Sequence, residues 1–237
     1  MSLATTIAFE IGPQPDGQTC GPTCLHSVYR YFGDSIPLEQ VVREVPQLRE
    51  GGTLGVHLGC HALGLGYQVT IYTYDLHVFD PTWFADGGRD AAEGLKRQSQ
   101  VKEDRKLRGA TEAYLEFLEL GGELRFEDLT PELLRRYLNQ SIPVLAGLSA
   151  TYLYRCARED GSRYDDVRGR PAGHFVVLVG YGWDSGTVLV ADPLLPNPFS
   201  SSQYYSVDLH RAISAILLGV ITYDANLLIV RPAEWTG

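Results

Sequence analysis

The stretch that most limits how this chain can fold is GHFVVLVGYGW, Gly173 to Trp183, an apolar run followed by Asp-Ser-Gly and then by a second apolar run, Thr187 to Ala191. The first run reads as a central strand, WDSG as the turn of a hairpin, and the second run as a strand returning antiparallel. His174 opens the outgoing strand, so its backbone is held while its ring can face a cleft. Asp192, eighteen positions later, returns near the level of that histidine, and Pro193 ends the strand. A carboxylate there can accept the histidine's second N–H. Asp184 is the rival, but it falls at the turn, far along the strand from His174.

Upstream, the order of elements is helices first and strands later. A short strand is expected over Thr5 to Ile11. A helix from Cys20 carries Cys24, Leu25, Val28 and Phe32 at helical spacing, with Gly33 placed to end it. Pro37 to Val45 suggests a second helix. Thr53 to Leu65 suggests a third, with Thr53 as cap, and Gly66 stops it before a strand at Tyr67 to Tyr74. A helix at Thr130 to Asn139 is capped by Thr130 with Pro131 at its first position. Further strands are expected at Pro143 to Leu148, His174 to Gly182, Thr187 to Asp192 and Asn226 to Val230. No internal repeat is present, and the order predicts α+β rather than repeated βαβ units.

The start of the first helix is chemically marked. In QPDGQTCGPTCLHSVYRYFG, Gln14 to Gly33, a cysteine sits where a loop becomes an amphipathic helix, with a glutamine six positions before it. A thiol at a helix N-terminus lies at the positive end of the peptide dipoles, which favours a thiolate. Cys20 is therefore the candidate nucleophile, His174 its base and Asp192 the group that orients the base. Gln14 can donate to the oxyanion formed when a thiolate attacks a carbonyl.

Composition narrows the partners. The 237 residues carry a formal net charge of -9, which argues against a nucleic-acid surface and favours a peptide or small amide substrate. No apolar run approaches the roughly 18 residues of a membrane span, and MSLATTIAFEIG lacks the pattern of a signal peptide, so a cytoplasmic protein is expected. Four cysteines, Cys20, Cys24, Cys60 and Cys156, are too few and scattered for a disulfide framework. Cys20, Cys24, Cys60 and His61 have poor zinc-ligand spacing, and His57 and His61 lack the glutamate of a metalloprotease helix because Leu58 stands between them. No metal or other cofactor is expected.

With those residues in view, the chain resembles the papain-like cysteine peptidases of the bacteriocin-processing, double-glycine type. The resemblance rests on Gln14, CGPTC at Cys20 to Cys24, LHSVYRYFG, TLGVHLGCHALGLGY, GHFVVLVGYGW and the ADP of Ala191 to Pro193. It implies a bacterial papain-like α+β domain, with N-terminal helices packed on a C-terminal antiparallel sheet. It also implies Cys20 as nucleophile, His174 as base, Asp192 as orienting partner and Gln14 as oxyanion donor. The expected activity is hydrolysis of a peptide or amide bond through a thioester. An acyltransferase on the same fold shares the first half-reaction, and a non-catalytic binding module is the reading from another class.

A segment at about Pro81 to Gly122 exceeds the compact family core, and the whole chain is read as one domain with this insertion. Its first half is charged, with Arg89, Lys96, Arg97, Lys102, Arg105, Lys106 and Arg108 against Asp90, Glu93, Glu103 and Asp104. Its second half is an amphipathic helix through Ala110, Tyr114, Phe117 and Leu118, a candidate lid or protein-partner arm. Tyr152, Tyr154 and Tyr164, with Arg155, Arg158, Arg163, Arg168 and Arg170, are read as a loop bordering the cleft. Its arginines are either solvated or available to a substrate carboxylate. Trp183 is expected to shield the His174/Asp192 contact from water or to be ordinary core.

Overall fold

The computed structural model describes residues 5–49, 51–85, 91–161, 163–182 and 184–235. In chain order the elements are β1 (Thr5–Thr6), α1 (Cys20–Tyr31), α2 (Leu38–Glu44), α3 (Gly55–Gly64), β2 (Tyr67–Thr73), α4 (Ala91–Ser99), α5 (Arg105–Glu119), β3 (Glu123–Arg125) and α6 (Pro131–Leu138). There follow β4 (Val144–Ser149), α7 (Ala150–Tyr154), β5 (Glu159–Asp160), β6 (Arg163–Tyr164), β7 (Gly173–Gly182), β8 (Thr187–Ala191), β9 (Tyr204–Asp208), α8 (Leu209–Leu218) and β10 (Asn226–Pro232).

The main sheet runs β3-β2-β10-β4-β7-β8-β9, with β1 added on β7. Every pairing is antiparallel except β2 with β3. The expected α+β class is present. His174 lies opposite Leu148 on β4, while β8 returns so that Ala191 lies opposite Val177. A register shift between Leu178 and Gly180 bends the β7–β8 hairpin. Asp192 is thus delivered one residue past the Val177–Ala191 pair, beside the beginning of β7.

Helix α1 packs against β7 with little space between them. A Cβ on Gly21 would come within 2.9 Å of Thr53 Cγ2 and 3.2 Å of Phe175 Cδ2, so the residue after Cys20 is glycine because the helix start presses on its neighbours. Pro22 falls in the first turn, where a missing N–H costs nothing. Cys24 is fully buried, as its place on the stripe requires, and its thiol contacts the Phe175 carbonyl oxygen at 3.3 Å.

Several local expectations change. Strand character after Thr6 does not continue to Ile11, although Ile7 N–H still reaches the Val179 carbonyl at 2.7 Å. Thr53 does not cap α3. Its hydroxyl donates instead to the Pro46 carbonyl at 2.7 Å, and the helix starts after Leu54 without a side-chain cap. Tyr152 and Tyr154 belong to α7, capped by Ser149, rather than to a loop, and Arg163 and Tyr164 pair in a small hairpin. β3, β9 and α8 were not expected, and they complete the sheet edges and cover β4. Thr130 caps α6 by accepting from Leu133 N–H at 3.3 Å, with Pro131 in the first turn. Trp183, Arg89 and Asp90 lie outside the described residues.

The charged segment from Pro81 folds as a short 3-10 turn, Pro81–Phe84, followed by α4 and α5. Leu107, Ala110, Ala113, Tyr114 and Phe117 of α5 are buried in the same hydrophobic cluster as α1 and the sheet. Burying a side chain such as Phe117 contributes roughly 1.5–3 kcal/mol, whereas an exposed pair such as Glu93–Arg97, at 4.0 Å, contributes about 1 kcal/mol at most. The apolar stripe therefore holds the segment down, and its charges face outward. Gly59 on α3 permits the approach, since a Cβ there would meet the Phe117 ring at 2.9 Å. Among the described residues, no helix is long and apolar enough to cross a membrane.

Candidate active site

Cys20 is the first residue of α1 and retains 9% exposure. The loop before it is organised by Asp16, whose Oδ1 accepts from Gln18 N–H at 2.8 Å. The Asp16 carbonyl accepts from Thr19 Oγ1 at 3.2 Å and from Gln14 Nε2 at 2.5 Å. This loop is also pinned to the far end of β8, because Gln14 N–H donates to the Pro193 carbonyl at 2.9 Å.

His174 and Asp192 meet as their positions on the hairpin require. His174 Nε2 is 2.9 Å from Asp192 Oδ1, and both side chains are buried. A carboxylate can only accept here, so Nε2 carries the proton of that bond. Cys20 and His174 line the same cavity, and with Nε2 given to Asp192 it is Nδ1 that is left to serve the thiol. Burial pulls the pKa of His174 down, but the Asp192 charge, then Cys20, then the hydrogen bond to Asp192 outweigh it and raise the value to about 10. Burial likewise pushes Asp192 up, yet His174 and the hydroxyls of Tyr154 and Tyr205 hold its carboxyl below the ordinary range.

Asp192 is satisfied on every side. Oδ1 also accepts from Leu194 N–H at 2.9 Å, and Oδ2 accepts from Tyr154 and Tyr205 hydroxyls, each at 2.6 Å. Its main chain is tied to Gln203 through Asp192 N–H to the Gln203 carbonyl (2.8 Å) and Gln203 Nε2 to the Asp192 carbonyl (3.1 Å). Sequence reasoning missed Tyr205 and gave Tyr154 no part in this contact. The signal was faint, because Tyr205 pairs with Val190 and reaches Asp192 only through sheet register. Asp184, the rival carboxylate, is exposed in the hairpin turn.

Gln14 is positioned differently from the other three. One Nε2–H goes to the Asp16 carbonyl, and Oε1 is buried without a hydrogen-bond partner among the described residues. Gln14 does not line the cavity of about 260 Å³ that contains Cys20 and His174. That cavity is also lined by Leu48, Thr53, Gly173, Thr222 and Asp224, and by Lys106 from α5. Helix α5 therefore borders the cleft through Lys106. Asp224 was not anticipated. A Cβ on Gly173 would overlap its carboxylate, so glycine before His174 makes room for it. Burial raises the pKa of Asp224 to about 7; a Thr222 hydrogen bond and Lys106 oppose the rise, Asp75 adds to it, and His174 opposes it more weakly.

The remaining cysteines and histidines are engaged separately. Burial pushes the thiol of Cys24 well up and that of Cys60 to about 12, and burial also raises Cys156. His61 Nδ1 meets the Tyr29 hydroxyl at 2.8 Å and its Nε2 meets Glu44 at 3.2 Å, while burial lowers the pKa of His57. No group of three or more metal-ligating side chains is assembled among the described residues. Of the arginines read as bordering the cleft, none lines this cavity; Arg158 is bound to the Asp166 carbonyl.

No protein-family model matches the chain, and no curated protein matches it. Among solved structures it is similar to the peptidase domain of Streptococcus ComA, a bi-functional ABC transporter of a quorum-sensing pathway. Identity is 16% over 94% of this chain and 98% of that one, with a TM-score of 0.45. It is also similar to a double-glycine motif protease from an AMS/PCAT transporter, solved with the leader peptide, at 15% identity, 97% and 96% coverage and a TM-score of 0.47. A C39-like peptidase structure from Bacillus anthracis is similar at 13% identity, 98% and 99% coverage and a TM-score of 0.48.

Proposed function

We propose that the protein is a thiol hydrolase of the cysteine-peptidase kind, a papain-like domain with a helical insertion at about residues 81–122. The observation that supports this reading is that Cys20 and His174 line one cavity while His174 Nε2 meets Asp192 Oδ1 at 2.9 Å. A nucleophile, a base and an orienting carboxylate in that order are what thiol acyl chemistry needs.

In the proposed reaction Cys20 passes its proton to His174 Nδ1, and the imidazolium is stabilised by Asp192 through Nε2. The thiolate attacks an amide carbonyl. Backbone N–H groups at the start of α1, which have no partners within the helix, face the developing oxyanion. Gln14 has two amide hydrogens, and the one not given to Asp16 becomes a further donor when the side chain turns toward the cavity, which it does not line in this structure. His174 then protonates the leaving amine as the C–N bond breaks, giving a thioester on Cys20. Water, deprotonated by His174, releases the acid and regenerates the thiol.

Alkylation by iodoacetamide, mapped by peptide mass spectrometry, tests this reading before any substrate is known. At pH 7 Cys20 should react at least roughly tenfold faster than Cys24, Cys60 and Cys156, whose thiols burial pushes upward. His174→Ala should abolish that advantage. A Cys20 no faster than the other three would overturn the reading.

A further inference from the structure

A second groove, of about 320 Å³, adjoins the cavity at Cys20. It is lined by Gln47, Leu48, Arg49, Arg105, Lys106 and Gly109, and Leu48 and Lys106 also line the cavity that contains Cys20 and His174. The groove therefore lies beside the cavity of the nucleophile, toward the N-terminal end of α5.

Its electrostatic character is opposite to that of the protein. The chain carries a formal net charge of -9, yet three of the six groove-lining residues are cationic and none is acidic. Arg49 and Arg105 are exposed, and among the described residues neither makes an ion pair or side-chain hydrogen bond. Lys106 is oriented by its own neighbours, donating to the Thr222 carbonyl at 3.4 Å and lying 4.5 Å from the centre of the Tyr223 ring. Asp104, which does not line the groove, caps α5 by accepting from Leu107 N–H at 2.7 Å. Arg49 and Arg105, without ion-pair partners among the described residues, will attract anions into the groove.

We infer that this groove binds an acidic stretch of the peptide substrate, placed to one side of the bond that Cys20 attacks, with Arg49 and Arg105 as its principal contacts. The inference rests on the proposed peptidase reading for the identity of the occupant. It gives the added helices a role: they supply half of a subsite that the rest of the fold does not provide. The occupant is a peptide bearing several carboxylates. Selectivity by exposed charges of this kind falls with ionic strength, because they act across solvent.

The test uses the full chain and fluorescence anisotropy with labelled hexaglutamate, hexaglutamine and hexalysine peptides. Hexaglutamate should bind at low salt, weaken as salt rises, and bind about tenfold less tightly to the double variant Arg49→Gln/Arg105→Gln. Hexaglutamine and hexalysine should not bind. Equal binding of hexaglutamate and hexaglutamine, or an unchanged affinity in the double variant, overturns the inference. Binding is measured on Cys20→Ala as well, so a failure of the thiol chemistry, read separately by alkylation, is distinguishable from a failure of the groove.

Discussion

Tyr205 and His174 grip opposite oxygens of one carboxylate: the tyrosine hydroxyl donates to Asp192 Oδ2 at 2.6 Å while the imidazole donates to Oδ1 at 2.9 Å. Tyr154 supplies a second hydroxyl to Oδ2 at the same distance as the first. The carboxylate's orientation is thus set by three side chains from three elements. Removing one donor leaves a buried charge short of a hydrogen bond, which costs roughly 1–3 kcal/mol. Tyr205→Phe should lower the unfolding free energy by about that amount in urea denaturation, with Tyr154→Phe similar. A change below about 0.5 kcal/mol in both would show that these bonds contribute little.

The proton on His174 gives a prediction in pH. Burial favours the neutral ring, but Asp192 and Cys20 prevail and raise its pKa to about 10, above the ordinary value of 6.5. A raised histidine contributes stability that is full below pH 6.5 and is lost as pH rises through about 10. Asp192→Asn removes the main stabilising charge, so the ring should titrate well below 10 and this alkaline loss of stability should shrink. NMR titration of the His174 ring in the two proteins checks it; an unchanged midpoint contradicts it.

Asp224 predicts a slope of opposite origin. Burial lifts its pKa from 3.8 to about 7, with Thr222, Lys106, Asp75 and His174 facing it. The folded chain therefore keeps a proton that the unfolded chain releases, so stability declines as pH rises from about 4 to about 7. Asp224→Asn should remove this decline and be most stabilising, relative to the parent, above pH 7. Melting temperatures at pH 5 and pH 8 decide it, and an equal effect at both contradicts it.

The approach of α3 to α5 is testable by one methyl group. In Gly59→Ala the new Cβ would lie 2.9 Å from the Phe117 ring and 3.2 Å from Ile71 Cδ1, both buried and unable to move aside freely. Overpacking of this kind costs about 1–3 kcal/mol. Thermal unfolding should show that loss, and Gly64→Ala, with nothing within 4 Å of its Cβ, should not.

How much of this was legible in the sequence depends on where each residue sits. Cys20, His174 and Asp192 all stand at element ends that the sequence marks: a Gly-Pro helix start, the head of an apolar run, and an Asp-Pro strand stop. Their convergence follows from one hairpin and one helix. Tyr205 and Asp224 had no such mark, because their place at the site depends on the register of β9 with β8 and on the bend before β10. Lys106 was read only as part of a charged segment. Its position at the cleft follows from the packing of α5 on α3, which periodicity alone cannot orient. Thr53 shows the converse: its residue type and position suited a cap, but its hydroxyl was claimed by the Pro46 carbonyl.

The main-chain bond from Gln14 N–H to the Pro193 carbonyl joins the segment leading into the nucleophile to the segment leaving the acid. No side chain of Cys20, His174 or Asp192 takes part in it. The spacing of the site therefore has a support independent of the groups that would react, so replacing any one of them should leave the other two where they are. An inactive variant of this protein would then report lost chemistry rather than a collapsed cleft, and could be used to trap a substrate intact.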